Sequence, residues 1–228
     1  MKTSSLFERE LSYIQNPHLR KIVSNTLDAS PEAIQIIPAS SSKRFHPAYS
    51  VVDGKINDDG TVIEGGLTRH VKAAVGMAHS LVEADIFANM IQDVCELGNQ
   101  NRLNLMIDSA YAALILHDCC KCDDTPKHTT RFDHPLVAAK LFKETVSKYL
   151  IENRNIGAIQ MAELKEAVPI IYGAISSHMG KWTTATYAKG IVLPKPKNGV
   201  EHFVHLCDYL GSRKFLLFDF DVYAESDR

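Results

Sequence analysis

Five segments of this chain repeat apolar residues at the spacing of an α-helix, and this repetition limits the fold more than any other feature of the sequence. In the first segment, apolar positions begin at Leu67 and recur at helical spacing up to Val82. The segment 108–118 is apolar on nearly all sides, which is typical of a helix buried at the centre of a bundle. The other three cover 134–152, 163–178 and 200–214. The sequence therefore predicts an all-α helical bundle.

Each of these segments also carries a histidine or an aspartate on, or at the border of, its apolar face. A single histidine in such a place is most often a hydrogen-bonded core residue. Several buried ionisable groups together are different, because an unpaired buried carboxylate is costly or becomes neutral. A divalent cation shared by all of them removes that cost, so we predict a metal site. Its six candidate ligands are His70, His117, Asp118, His134, His178 and Asp208.

The adjacent pair His117 and Asp118 is the most suggestive part of this pattern. Neighbouring helical positions point about 100° apart, so the two side chains can reach different sides of one ion. Imidazole and carboxylate groups suit borderline divalent metals, but ligand type alone does not choose the metal. The sequence therefore predicts one or two divalent ions and leaves open whether they are Mn, Fe, Ni, Co, Zn or Mg.

The remaining segments predict smaller elements around this bundle. Residues 4–28 form a helix or a helix pair broken near Asn16 and Pro17, followed by a short helix over 31–37. Residues 38–66 are irregular or form a small hairpin, with β-prone pieces at 51–52 and 61–63 around Asp-Gly turns. A further helix is expected over about 85–97. Because 228 residues suit one large helical domain, we expect a single domain over 1–228, with its motif-bearing core at about 40–214 and N-terminal helices (1–39) packed on it.

Composition and charge exclude several classes of protein. The formal net charge of −2 gives no whole-chain reason to expect binding to nucleic acid or to a membrane, and no apolar run approaches the ~20 residues that span a bilayer. The N-terminal segment is too charged for a signal peptide. The five cysteines are an odd number, so we expect reduced thiols and a cytoplasmic protein. A zinc site from Cys119, Cys120 and Cys122 is the weaker alternative, because CCKC lacks the usual CxxC spacing.

Five stretches that contain the candidate ligands resemble the HD-domain superfamily of metal-dependent phosphohydrolases. They are, in order, GGLTRHVKAAV, AALILHDCCK, DHPLVAAKLF, AISSHMGKW and VHLCDYLGSRK, and they span roughly residues 40–214. The first and fourth are most similar to the HD module of bacterial 3′→5′ exoribonucleases. Those proteins also carry a nucleic-acid-binding OB-type domain, which we do not expect in this chain. The resemblance implies an HD-type helical bundle that hydrolyses phosphate esters or anhydrides.

The resemblance also implies a role for each candidate ligand. His70, His117, Asp118 and Asp208 would hold a first metal, and Asp118 would bridge to a second metal held by His134 and His178. A metal-bound hydroxide would attack phosphorus, with the cations spreading the developing charge. Lys121 would steady a phosphate oxygen or the leaving group, so Asp118 and Lys121 are the catalytic candidates. Cys120 stands where the family usually has a glycine.

Substrate-binding candidates lie near these ligands in the sequence. Arg69 and Arg131 are candidates for phosphate, and each is also compatible with an ordinary surface charge. Lys181 and Trp182 follow His178, and the tryptophan either stacks on a base or packs under the next loop. His46 has a substrate role or is an ordinary loop histidine. His128 is expected near the substrate entrance, and His79, His202 and His205 are interpreted as ordinary histidines.

These features predict a hydrolase that acts on nucleotides, whether mono-, tri- or cyclic phosphates. The alternative is a 3′→5′ exonuclease on RNA or single-stranded DNA, for which the basic segment 181–197 would supply a groove although the chain has no basic excess. A di-iron oxygenase and a non-catalytic nucleotide-binding module are weaker hypotheses. The expected partner is therefore a nucleotide or the 3′ end of a single strand, and not a membrane. Whether the chain forms a homo-oligomer is open.

Overall fold

In a computed structural model, the described residues (1–40, 53–96, 98–122 and 131–213) form a mostly helical structure with one two-stranded sheet. This confirms the predicted all-α class. The five larger helices are α3 (Gly66–Glu83), α5 (Gln100–Leu116), α6 (His134–Glu152), α7 (Ala158–Ser177) and α8 (Gly199–Gly211). The smaller ones are α1 (Glu8–Ser12), α2 (Pro17–Asp28) and α4 (Ile86–Met90).

Helix α5 lies at the centre, as its apolar composition predicts. Every residue from Asp108 to Leu116 is buried, and α5 packs against α3, α7 and α8. Helices α3 and α8 pack on each other, as do α6 and α7. These five helices therefore share one buried core. None of the described helices has both the length and the apolar character needed to cross a bilayer.

The N-terminal segment breaks where proline predicts it. A 3₁₀ helix (Thr3–Phe7) leads into α1, and α2 begins at Pro17, with the side chain of Asn16 accepting a hydrogen bond from the backbone N–H of Leu19. The buried carboxylate of Asp108 in α5 accepts hydrogen bonds from the backbone N–H groups of Gln15 and Asn16, at 2.8 and 2.7 Å. The N-terminal helices are thereby held against the central helix.

The region before α3 contains the small hairpin that the Asp-Gly turns predict. Strands β1 (Lys55–Ile56) and β2 (Val62–Ile63) pair antiparallel. The expected short helix over 31–37 is a 3₁₀ turn, Glu32–Gln35. Of the two β-prone pieces, 61–63 overlaps β2, while 51–52 lies outside the described residues.

Several helix boundaries differ from the sequence prediction. Helix α5 starts at Gln100, eight residues before the predicted 108, and ends at Leu116. Helix α4 ends at Met90 rather than near 97, and the carboxylate of Asp93 just beyond it accepts hydrogen bonds from the backbone N–H of Gly199 at the start of α8. Helix α7 starts at Ala158, five residues earlier than predicted. The apolar pattern did not indicate its first turn because that turn has no buried face, and Ile159 there is 72% exposed. Helix α8 ends at Gly211, and Lys214 lies outside the described residues.

Glycine at position 211 allows α8 to approach α3 closely. A Cβ atom there would lie 2.9 Å from both the Cα and the backbone nitrogen of Ala74. We expect Gly211→Ala to lower the free energy of unfolding by about 1–3 kcal/mol because the two backbones must separate, although alanine is the better helix former by about 1 kcal/mol. Urea unfolding of the two proteins measures this difference. An unchanged or higher midpoint for the variant would contradict the close approach.

Candidate metal centre

The six predicted ligands converge at the ends of five helices. His70 lies in the first two turns of α3, His117 and Asp118 directly follow α5, and His134 is the first residue of α6. His178 directly follows α7, and Asp208 lies in the last turn of α8. Five of the six are at most 1% exposed, and the side chain of Asp208 is 15% exposed. The predicted cluster is therefore buried and opens beside Asp208.

Backbone carbonyls orient three of the histidines. The Nδ1 atoms of His117, His134 and His178 lie 2.6, 2.5 and 2.8 Å from the carbonyl oxygens of Leu114, Arg131 and Ile175, each three residues earlier. An Nδ1–H that donates to a carbonyl leaves the Nε2 lone pair facing the cluster. The position of these histidines at helix ends provides the carbonyls, and the resulting tautomer is the one that binds a metal through Nε2.

One half of the cluster contains His70, His117 and Asp208. The Nε2 atom of His70 is 3.0 Å from Asp208 Oδ1 and 3.3 Å from the Nε2 atom of His117. Asp208 Oδ1 is also 3.6 Å from His117 Nε2. These ligand atoms all lie within 4.8 Å of one another, which is close enough for a single ion to contact all three.

The other half contains His134 and His178, and Asp118 lies between the two halves. Asp118 Oδ1 is 2.9 Å from His134 Nε2 and 3.7 Å from His178 Nε2. Its second oxygen, Oδ2, faces the first half, at 3.4 Å from His117 Nε2 and 3.7 Å from His70 Nε2. The two oxygens of this one carboxylate thus face different groups of histidines.

The spacing of the histidine nitrogens fits a shared cation. The Nε2 atoms of His70 and His117 are 3.3 Å apart, and those of His134 and His178 are 3.2 Å apart. Two nitrogens bound to one ion at about 2.0–2.1 Å are separated by about 2.9 Å at a right angle and about 3.4 Å at a tetrahedral angle. Lone pairs this close repel each other unless a proton or a metal ion lies between them. These buried His and Asp groups can therefore hold a metal ion.

The charges of the cluster change the pKa values of its members. Burial favours the neutral carboxyl of Asp118, but Lys121 and His117 hold its pKa well below the ordinary value. The pKa of Asp208 is likewise lowered, because the hydrogen bond with His70 and the neighbouring histidines outweigh burial. Burial lowers the pKa of His178 to about 3, with His117 adding to the effect. Two ionised carboxylates and a neutral His178 form a ligand set ready for a cation.

Lys121 lies inside this centre rather than on the surface. It is 5% exposed, and its Nζ atom is 2.6 Å from Asp118 Oδ2. The substitution of Cys120 for the glycine that is usual in the resembled family therefore does not prevent Lys121 from reaching the cluster. The buried thiols of Cys119 and Cys120 lie 3.9 Å apart, and the metal-compatible groups found among the described residues contain His and Asp but not Cys.

The buried His178 predicts a pH dependence of stability in chelated protein. Its folded pKa of about 3 lies below its ordinary 6.5, so between these values the unfolded chain binds a proton there that the folded chain does not. The contribution of the neutral His178 to stability is therefore fully present above pH 6.5, and the free energy of unfolding decreases as the pH falls below that value. Below pH 6.5, we expect the free energy of unfolding of the wild type to decrease by about 1.4 kcal/mol per pH unit more than that of His178→Gln. Denaturant unfolding at several pH values measures the difference, and parallel curves would contradict it.

The predicted substrate-binding residues differ from the buried cluster in their exposure and contacts. Arg69 is exposed at the start of α3. The guanidinium of Arg131 makes two contacts with Asp133, at 3.1 and 2.9 Å, while its carbonyl orients His134. Asp133 directly precedes α6 and makes no side-chain cap hydrogen bond. Lys181 and Trp182 are exposed beside His178. His46 and His128 lie outside the described residues.

Two residues near the cluster were not predicted to have a role. The Nδ1 atom of His205 lies 2.7 Å from the carbonyl oxygen of His178, and its ring packs 5.8 Å from that of Trp182. The ring of Tyr209 stacks on that of Trp182, with the ring centroids 5.8 Å apart and an interplanar angle of 18°. A sequence signal did exist, because positions 205, 209 and 213 share one helical face at four-residue spacing.

Comparisons of this chain with models of protein families, with curated proteins and with solved structures found no match. The observed combination of an all-helical fold and a buried His/Asp cluster that can hold a metal is compatible with an HD-type domain. The class of protein that fold and site define is thus a helical protein with a candidate divalent-metal centre.

Proposed function

We propose that this protein is a divalent-metal-dependent phosphohydrolase of the HD type that cleaves phosphate esters or anhydrides of nucleotides. The observation that carries the proposal is the position of Asp118, whose two oxygens face two groups of histidines. Two-metal sites of this kind are used to hydrolyse phosphate bonds. The ordered residues His70, His117, Asp118 and Asp208 provide the resemblance to the HD superfamily.

The buried Lys121 supports phosphate as the ligand of the centre. A lysine with no more than 5% exposure beside a cluster of histidines would add positive charge to a site that also holds cations. Such a charge is useful when the ligand is an anion such as a phosphoryl group. It is of no evident use to the alternative di-iron oxygenase.

Each residue of the centre has a task in this reaction. Bound divalent ions would supply Lewis-acid stabilisation of the phosphoryl oxygens and would lower the pKa of a water molecule. The carbonyls of Leu114, Arg131 and Ile175 keep three histidines in the metal-binding orientation. Lys121 donates to Asp118 Oδ2 and would turn to a phosphate oxygen or to the leaving group. The low exposure of the centre limits access of bulk water.

A second candidate activity is 3′→5′ exonucleolysis of RNA or single-stranded DNA. The observation that favours it is the exposed pair of Lys181 and Trp182 beside His178, in a segment rich in lysine. Bases stack on exposed aromatic rings, and lysines contact the phosphates of a strand.

The test is a screen of nucleotides and short oligonucleotides with Mn, Mg, Ni, Co, Zn and Fe in turn. We expect metal-dependent release of phosphate or of nucleotides, abolished by chelation. Oxygen consumption with iron and no phosphate release would identify an oxygenase instead. Metal binding without any turnover would indicate a non-catalytic binding module. Either of these two results would overturn the proposal.

A further inference from the structure

An exposed aromatic and basic surface lies beside the metal centre and includes Lys181 and Trp182, the pair that favours the second candidate activity. We call it the aromatic face and define it by Lys181, Trp182, His205, Tyr209 and Arg213. Trp182 and Tyr209 stack on each other, yet they remain 41% and 37% exposed. Lys181 lies over the ring of Trp182 at 5.2 Å, and Arg213 lies over that of Tyr209 at 4.4 Å.

The local backbone shows how the aromatic face is built. Gly180 has φ +61°, and a Cβ atom there would lie 2.3 Å from ring atoms of His205. This conformation turns the chain immediately after His178, so that Trp182 packs against α8. The face is therefore a packed arrangement of an α8 surface with the turn that follows a candidate metal ligand.

The aromatic face is directly connected to the metal centre. Tyr209 follows Asp208, which is the most exposed of the six candidate ligands. His205 contacts the backbone of His178, a ligand in the other half. A molecule whose phosphate lies at the cluster would thus extend past Asp208 onto Trp182 and Tyr209.

The segment that begins at the aromatic face is strongly basic. Between Met179 and Val200 the chain has four exposed lysines and no acidic residue, in contrast to a whole chain with a net charge of −2. The segment folds back on itself, with the N–H of Leu193 donating to the carbonyl of Thr183. Within this segment, the ring of Tyr187 also packs on that of Phe132, two residues before His134. The lysines are Lys181, Lys189, Lys195 and Lys197.

We propose that the aromatic face binds a base of a single-stranded nucleic acid, whose next phosphates contact the lysines of segment 181–197. This inference rests on the proposed function and selects its substrate class. Stacking on Trp182 tolerates any base, and the cation beside the ring is displaced because stacking of a base is the stronger interaction. Several lysines along one segment suit a strand with several phosphates better than a single nucleotide.

Trp182 is the only tryptophan of the chain, so its fluorescence reports this contact directly. The full-length protein, held in chelator so that no cleavage occurs, is titrated with a single-stranded oligothymidylate about twelve nucleotides long. We expect quenching of the fluorescence, and an affinity that falls as salt is raised because lysine–phosphate contacts release counterions. Absence of quenching, or equal affinity for thymidine monophosphate, would overturn the proposal.

Variants are compared by the fluorescence anisotropy of the same oligonucleotide carrying a dye. Trp182→Ala should weaken binding roughly tenfold, Trp182→Phe should retain most of the affinity, and Tyr209→Ala should weaken it. The control Tyr172→Ala removes another exposed ring, 39% exposed on α7, and should have no effect.

Charge is tested in the same way. A double variant of Lys189→Ala and Lys195→Ala should bind more weakly and with a smaller salt dependence, whereas Lys165→Ala on α7 should not.

If the wild type hydrolyses nucleotides without quenching, this inference is wrong and the proposed function stands. If quenching occurs but no metal supports turnover, the proposed function is wrong and the face still binds a strand.

Discussion

Asp118→Asn is expected to lower metal-dependent phosphohydrolysis by at least about a hundredfold, because even substitutions that only contact a metal ligand cost about 10–100-fold. Asp118 is within 3.7 Å of His70, His117, His134 and His178, so its carboxylate contacts both halves of the cluster. An amide removes its negative charge and one of its two oxygens. The measurement is phosphate release, together with the metal content of the purified protein.

The variant also removes the partner of Lys121, and breaking a buried ion pair costs about 3–5 kcal/mol. Asp208→Asn therefore serves as a second variant, because Asp208 is partly exposed and an amide can still accept a hydrogen bond from His70. Asp85→Asn is the control: Asp85 is exposed after α3, and its φ of 58° is one that asparagine tolerates. Full activity in both folded cluster variants would contradict the proposed centre.

The sequence predicted the cluster because burial of ionisable groups leaves a clear pattern. His70 and Asp208 follow apolar residues at helical spacing on separate helices, and the structure places Asp208 Oδ1 3.0 Å from His70 Nε2. Their convergence needs only that apolar faces meet in one core. The same pattern predicted α6 with the exact bounds that the structure has, His134–Glu152.

The features that were not predicted depend on contacts between distant segments. Nothing in the periodicity of 85–97 shows that α4 ends at Met90, or that Asp93 accepts a hydrogen bond from the distant Gly199. Nor does spacing show that His117 and His178 stand just beyond their helices, where carbonyls three residues earlier orient them. His205 was interpreted as an ordinary histidine because its role in packing depends on the turn at Gly180.

Binding of Mn²⁺ or Ni²⁺ to chelated protein is expected to raise the thermal midpoint by about 5–10 °C. A ligand at a hundred times its dissociation constant stabilises the folded state by about 2.7 kcal/mol. Each kcal/mol raises the midpoint by about 2–4 °C for a chain of this length. The cation replaces repulsion between carboxylates and between closely spaced nitrogen lone pairs, so it binds the folded chain in preference to the unfolded one. Differential scanning fluorimetry with and without metal gives the shift.

The effect of pH, measured in the wild type and in two ligand variants, distinguishes this centre from unspecific metal binding at the surface. Burial opposes the charged form of His117, but Asp118 and Asp208 raise its pKa above 6.5. Near and below that pH a metal must displace a proton from His117, so the thermal shift should shrink as the pH falls from 8 to 6, by the linkage of metal binding to protonation at about neutral pH. His117→Ala and His178→Gln should show little shift at either pH. A shift of equal size in these variants would place the bound metal elsewhere on the chain.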